Sequence, residues 1–379
     1  MAPVTALHAP RIFDGHRWHD GAALLVQDGR VAGIVPWAAA PAGQVLDLPL
    51  VPGLVDLQVN GGGGVLFNDA TDVDGIKSIC AAHARFGTTA TLVTLITDTP
   101  DVTARAIAAG RHVQEGGAGD VPGFLGLHLE GPHLAVARKG THDPALIRAM
   151  EDADLAALTT TGLAHLVCTV APESVTPDQI AALAQAGVTV SLGHTDADHA
   201  TALACVEAGA RMVTHLFNAM SPLGHRAPGL VGAALDDGRL WAGIIADGFH
   251  VDAASLRIAL RAKAGPAGLF AVSDAMSTVG TGLHELHLNG RRILRQGGRL
   301  TLACGTLAGA DIALIDAVRW LHVTLGLDLG DALALATTAP AAAMGLSDRG
   351  HLNPGARADF FALGPGITAD AVWIGGVRQ

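Results

Sequence analysis

The chain contains no tyrosine and few aromatics of any kind, 4% in all, so large rings do little of its interior packing. Charge is scarce too, at 16% of residues, and cations are the scarcer sign, with 24 Lys and Arg against 35 Asp and Glu. The net charge of −11 argues against a nucleic-acid partner and against an anionic membrane surface. A small anionic substrate stays open, because a nearby Arg or His outweighs the global field at short range. The four cysteines, Cys80, Cys168, Cys205 and Cys304, are widely spaced and form no CxxC pair. They give no sign of a zinc knuckle or a disulfide framework, and read as buried thiols in a reducing, cytoplasmic compartment. No uninterrupted apolar run reaches ~18 residues, so no transmembrane helix is expected. The opening Met1-Ala-Pro-Val-Thr5 lacks a basic stretch followed by an apolar run and is not read as a signal peptide.

What the chain has is apolar bulk and histidine. Half of its 379 residues are apolar, enough for a large core, and 18 are histidine, many beside Gly, Asp or Glu. Residues 1–48 read as short strands (Val4–His8, Ala23–Gln27, Val31–Val35) with turns at Asp14-Gly15 and Asp28-Gly29. Strand-like Ala358–Leu363 and Ala371–Ile374 close the chain, and the two β-rich ends can pair into one small domain, 1–48 with 350–379. Between them, residues 49–349 alternate buried strands with Ala- and Leu-rich helices. The strand candidates are Leu50–Asn60, Thr89–Leu95, Phe124–Glu130, His165–Glu173, Val188–His194, Met212–Asn218, Trp241–Gly248 and Leu269–Met276. Helices are expected over Thr176–Ala186, opened by the cap pair Thr176-Pro177, and over Asp198–Ala208 and Asp252–Ala262. Asp311–Leu325 and Asp331–Met344 read as closing helices. Eight such strands over about 300 residues predict a (β/α)8 TIM-like barrel with a small β-sandwich domain built from both chain ends. A doubly wound open sheet is the alternative, weakened by the absence of a GxGxxG turn after the first strand.

In such a barrel the C-terminal ends of the strands share one face. Six predicted strands deliver polar groups there: Asp56-Leu-Gln58-Val-Asn60, His128-Leu-Glu130, Gly193-His194, Thr214-His215, Asp247-Gly-Phe-His250 and Ser273-Asp274. Each alone is weak; the set is hard to explain structurally. Glu130, His194 and His215 form a candidate His2Glu site for Zn2+ or a similar divalent ion. Three protein ligands leave room for water, whose pKa such an ion lowers towards ~7. The competing reading makes Glu130 a helix cap or the partner of an arginine. Asp274 is the natural general base and then general acid to a leaving amine, with a carboxylate remote from the metal or a fourth ligand as the alternatives. Asp247 reads as a side chain closing its own turn onto a backbone N–H. His142, on the loop after strand three, and His250 can each donate to a carbonyl or an anion. Arg226, on the loop after strand six, is either an anion clamp or a solvated arginine. His128, His133 and His225 are left as structural or unassigned, and His83, His112, His199, His284 and His287 as solvated.

These segments also resemble a known family. Pro52-Gly-Leu-Val-Asp56, His128-Leu-Glu-Gly-Pro132, Gly193-His-Thr195, Thr214-His-Leu-Phe-Asn-Ala-Met220, Ile245-Ala-Asp-Gly-Phe-His250 and Ser273-Asp-Ala-Met276 are similar to those of N-acetylglucosamine-6-phosphate deacetylases of the amidohydrolase superfamily. The tail Asn353-Pro-Gly-Ala-Arg-Ala-Asp359 resembles that superfamily's return into its small β domain. The resemblance implies hydrolysis of the acetamide of N-acetyl-D-glucosamine 6-phosphate to glucosamine 6-phosphate and acetate, in amino-sugar catabolism or cell-wall recycling. It implies Glu130, His194 and His215 as metal ligands and Asp274 as acid/base, with His142 polarising the acetyl carbonyl. Asn218, Ala219, Arg226 and His250 would bind the sugar phosphate, and Thr141 and Leu307-Ala308-Gly309 would face the substrate. It also implies a homodimer, or a tetramer, with part of the phosphate site shared between subunits.

One departure from the wider superfamily matters. Many members carry His-x-His after strand one and bind two metals; here those positions hold Gln58 and Asn60, and amides are poor ligands. No lysine stands in His165–Glu173 to serve as a carbamylated bridge. One divalent ion per chain is therefore expected, Zn2+ first, with Fe2+, Co2+ or Mn2+ as alternatives.

Overall fold

The computed structural model describes residues 3–116 and 121–379; Met1 and Ala2, on which the reading of the chain start partly rests, lie outside them. Eight parallel strands form the central sheet: Leu54–Val59, Thr88–Ile96, Phe124–Glu130, Leu166–Val170, Thr189–Leu192, Met212–Val213, Trp241–Ile245 and Leu269–Val272. Each pairs with the next in chain order. The ring closes where Val59 bridges Ala275 in parallel, and the N–H groups of Asn60 and Gly61 both donate to the Ala275 carbonyl, at 2.9 and 3.0 Å. This is the expected barrel.

The strands form because they are short runs of Leu, Val, Ile and Thr buried on both faces, with helices packed outside them. Helix starts are set by side-chain caps. Thr176 accepts from Gln179 N–H and Pro177 begins the helix Pro177–Gln185, while Asp198 and Asp252 cap His199–Ala208 and Ala253–Ala262. The predicted Asp331–Met344 helix is in fact two short helices, Leu329–Ala334 and Thr338–Ala343. Pro340 tolerates only the first turn of a helix, so a new helix begins at Thr338.

The segment read as one strand over 50–60 divides at Gly53. Leu50–Pro52 pairs with Phe360–Ala362 and with Ile12, within a sheet built from both chain ends. That sheet has its own core, centred on Leu24, Leu50, Phe360 and Trp373. Gly53 lies where a Cβ would fall 2.0 Å from the Thr89 hydroxyl, so the chain crosses from one sheet to the other at a point where its backbone packs directly on the Thr89 side chain.

A further element was not anticipated. Between the eighth barrel strand and the helix Leu314–Val323, four antiparallel strands (Glu285–Leu288, Arg291–Gln296, Arg299–Leu302, Leu307–Ala310) form a small sheet. Leu286, Leu288, Ile293 and Leu300 bury its inner face with Met276. Arg295 anchors it, donating to Asp311 Oδ2 at 2.6 Å and to the Thr281 carbonyl at 2.9 Å. Arg291 reaches across to donate to the Thr141 carbonyl. Two smaller expectations also change. Cys304 is exposed, because it sits in the turn between the last two of these strands. His83 is fully buried rather than solvated: its ring bonds the Gly61 carbonyl at 2.9 Å and ties the helix Val73–Ala84 to the loop after strand one.

Candidate active site

At the C-terminal ends of the strands lies a cavity of about 370 Å³. Glu130 reaches its floor from strand three, His194 follows strand five, and His215 follows the two-residue strand six. Glu130 Oε1 lies 3.1 Å from His194 Nε2 and 3.0 Å from His215 Nε2, and the two imidazole nitrogens are 3.1 Å apart. Donor atoms at 2.0–2.1 Å from a tetrahedral ion are separated by roughly 3.3 Å, so the triangle has the size of one face of a metal site.

The proton placement agrees. His194 Nδ1–H donates to the Arg138 carbonyl at 2.8 Å. With Nδ1 committed to that carbonyl, Nε2 is the ring nitrogen that faces the centre, the arrangement of a ligating histidine. Burial pushes the Glu130 carboxyl up, but hydrogen bonds and charge from the two imidazoles outweigh it and hold Glu130 well below the usual range. The donor set thus fits a divalent ion, and among the described residues Glu130, His194 and His215 are the group that converges in this way.

The backbone pays for this convergence. His194, His215 and Asp274 all have positive φ, at 49°, 32° and 50°, as do Phe217 at 78° and Ala219 at 49° on the loop after strand six. Non-glycine residues in this region cost of order 1–3 kcal/mol each, and their clustering is a mark of function. The left-handed turn at the end of a strand swings the side chain in over the barrel axis.

Asp274 lies beside the triad with its Oδ1 accepting from Asn60 Nδ2 at 2.7 Å and from Gln58 Nε2 at 3.1 Å. Burial, then repulsion from Glu130, pushes its carboxyl up to about 6. His142 is 2% exposed, its Nε2 3.9 Å from Glu130 Oε2. Burial, then the neighbouring His194, holds it well below the ordinary imidazole value, so it is neutral. Asp247 closes its turn as read, accepting from the N–H groups of Phe249 and His250 at 2.8 and 2.9 Å. Its second oxygen binds His250 Nδ1 at 2.6 Å and fixes that ring at the cavity wall. His128 lies below the floor in a chain of hydroxyls: it contacts Thr169 at 2.7 Å, which contacts Thr214 at 2.6 Å.

Of the other residues singled out, Thr141, Asn218, Ala219, Leu307 and Gly309 line the same cavity. Ala308 does not; strand alternation turns it into the apolar core of the small sheet. Arg226 is exposed on its loop and is outside the lining formed by this chain. Sequence reasoning missed Leu288 and Thr306, which the small sheet brings to the cavity; a short alternation over Glu285–Leu288 was the available signal for the first, and no local signal marks the second. Asn60 was noted only as a poor ligand; the period-two spacing of Asp56, Gln58 and Asn60 was the available signal that all three share a side of strand one.

The sequence pattern of the amidohydrolase family matches residues 50–378. An N-acetylgalactosamine-6-phosphate deacetylase of Shewanella sp. (strain ANA-3) is 40% identical, over 93% of this chain and 90% of its own. An N-acetylglucosamine-6-phosphate deacetylase of Danio rerio is 35% identical, over 99% and 96%. The crystal structure of N-acetylglucosamine-6-phosphate deacetylase from Pasteurella multocida superposes with a TM-score of 0.94 at 31% identity, covering both chains completely. With its barrel, its converging Glu130, His194 and His215, and these relatives, the chain belongs to the amidohydrolase family.

Proposed function

We propose that the protein hydrolyses the acetamide of N-acetyl-D-glucosamine 6-phosphate to D-glucosamine 6-phosphate and acetate. The observation that carries this is the meeting of Glu130, His194 and His215 within 3.1 Å of one another beside a buried acid, Asp274, in one substrate-sized cavity. The relatives named for this chemistry support the substrate class. One divalent ion per chain, zinc in the first instance, held by Glu130, His194 and His215, supplies electrophilic activation of the acetyl carbonyl and acidifies water.

The chain's own groups do the rest. Asp274 takes a proton from the attacking water and returns it to the nitrogen as the C–N bond breaks. His142, neutral and enclosed, donates Nε2–H to the carbonyl oxygen as negative charge develops there. His250, braced by Asp247, and the amide of Asn218 with the backbone at Ala219 hold the sugar phosphate, and Thr141, Leu307 and Gly309 shape the wall against which the sugar lies. Arg226 is exposed and serves the phosphate across a homodimer interface. The working compartment is the cytoplasm.

A second reading concerns the epimer, because the Shewanella relative is named for the galactosamine substrate. Acetate release from both 6-phosphates and from unphosphorylated N-acetylglucosamine, with metal content measured on the same preparation, separates these readings. Preference for the gluco phosphate is the expected result; equal turnover with and without phosphate removes the phosphate site. Asp274→Asn should lower kcat by at least a thousandfold with metal content intact, and near-normal turnover would rule out Asp274 as the base.

A further inference from the structure

Strand one carries two amides, Gln58 and Asn60, both 3% exposed, where neither packing nor solvent accounts for a polar side chain. A buried carboxylate only accepts hydrogen bonds, so both amides must turn their NH2 groups towards Asp274. They converge on the same oxygen: Asn60 Nδ2 at 2.7 Å and Gln58 Nε2 at 3.1 Å from Asp274 Oδ1. Gln58 Nε2 also lies 3.4 Å from each oxygen of Glu130. One NH2 group thus sits between two carboxylates that repel each other. The frame behind it is rigid, because the Asp274 backbone N–H donates to the Gln58 carbonyl at 3.0 Å. Residues 58 and 274 therefore bind each other through both main chain and side chain. Asn60 meets this requirement at a cost, since its buried Oδ1 has no partner. A residue chosen for stability would not leave that oxygen unpaired.

We propose that Gln58 and Asn60 are positioning residues for the proton transfer. By occupying Oδ1 of Asp274 with two donors, they leave Oδ2, which takes no hydrogen bond from the described residues, as the oxygen that carries the proton from water to the leaving nitrogen. The two amides also sit between the acids without adding a charge. This inference rests on Asp274 as the acid/base.

The experiment is a double-mutant cycle on the metal-loaded enzyme, with acetate release assayed on N-acetylglucosamine 6-phosphate. Asn60→Ala alone should lower kcat by roughly ten- to a hundredfold, the scale of one lost hydrogen bond to a charged group, with KM within about twofold and metal content unchanged. Placed on Asp274→Asn, assayed at high enzyme concentration, it should cost less than about twofold more, because a positioning residue has nothing left to position. Gln58→Ala should behave in the same way. Asn60→Leu, which is similar in size and carries neither donor nor charge, replaces Asn60→Ala if that variant does not fold. The same factor lost in both backgrounds, a loss carried by KM, or no loss would each overturn the proposal. Full activity of Asp274→Asn by itself would instead overturn the acid/base assignment, so the two failures are distinct.

Discussion

The tautomer of His142 offers the sharpest test of the proposed chemistry. The ring must present Nε2–H to the carbonyl oxygen, which requires a bare Nδ1. The structure surrounds Nδ1 with Thr97: its backbone N–H donates to Nδ1 at 3.4 Å and its hydroxyl lies 2.7 Å away. A backbone N–H can only donate, so Nδ1 is the acceptor; the single hydroxyl proton of Thr97 has two acceptors in reach, Nδ1 at 2.7 Å and the Glu130 carbonyl at 3.4 Å, and the shorter contact takes it. Thr97→Val keeps the shape and the backbone N–H and removes the shorter bond. A neutral hydrogen bond is worth about 1 kcal/mol, so kcat should fall about fivefold, while Thr97→Ser should stay close to the parent. His142→Ala removes the donor altogether and should cost roughly a hundred- to a thousandfold. Steady-state kinetics give the rates, and 15N NMR of the ring reports which nitrogen carries the proton. Parent enzyme with the proton on Nδ1, or Thr97→Val with unchanged kcat and an unchanged tautomer, would refute the reasoning.

Three other outcomes follow from the structure. Dialysis against a chelator should abolish turnover and adding Zn2+ should restore it, whereas His215→Ala should neither retain stoichiometric metal nor recover; elemental analysis beside the acetate assay checks both. Asp56 is fully buried with Oδ2 unpartnered, and burial pushes its carboxyl from 3.8 to about 7. The folded state therefore holds this proton more tightly than the unfolded state, so the stability it contributes is present below about 4 and is lost as pH rises to about 7. Asp56→Asn should thus gain on the parent across that window, by roughly 1–3 kcal/mol at pH 8, in denaturant unfolding at pH 5 and pH 8. Gly309 has φ of 66°, and a Cβ there would lie 2.5 Å from Met276 Cγ and 3.1 Å from the Asp274 carbonyl oxygen. Gly309→Ala should destabilise by about 1–2 kcal/mol from the left-handed backbone alone and lower kcat by displacing Asp274, readable as a shift in melting temperature together with the rate.

How much of this was legible follows a physical rule. Local patterning decides which residues end a strand. Apolar runs such as Leu269-Phe-Ala-Val272 stop where Ser273-Asp274 begins, and the Gly/Pro-rich stretch after His215 must be a loop. That was enough to place Glu130, His194, His215 and Asp274 at strand ends, and the alternation of strands with capped helices was enough for the barrel. Period-two alternation of Glu285-Leu-His-Leu288 also marked the small sheet, but strands of four to six residues carry too little signal to stand out. Arg226 shows the limit in the other direction: its charge suits an anion, but one chain leaves its loop exposed and outside the cavity lining, so its role is not decided by this chain alone.

The sequence by itself determined the inventory: a barrel of eight strands, a β domain from the two chain ends, and a set of polar residues delivered to one face. Only the closed tertiary structure decided that Glu130 and His215, 85 residues apart, meet at 3.0 Å, and that Gln58 on the first strand reaches Asp274 after the eighth. Ring closure is the reason. It makes the first and last strands neighbours, a relation no local pattern encodes. It also holds His194, His215 and Asp274 in left-handed conformations that an isolated strand would not adopt.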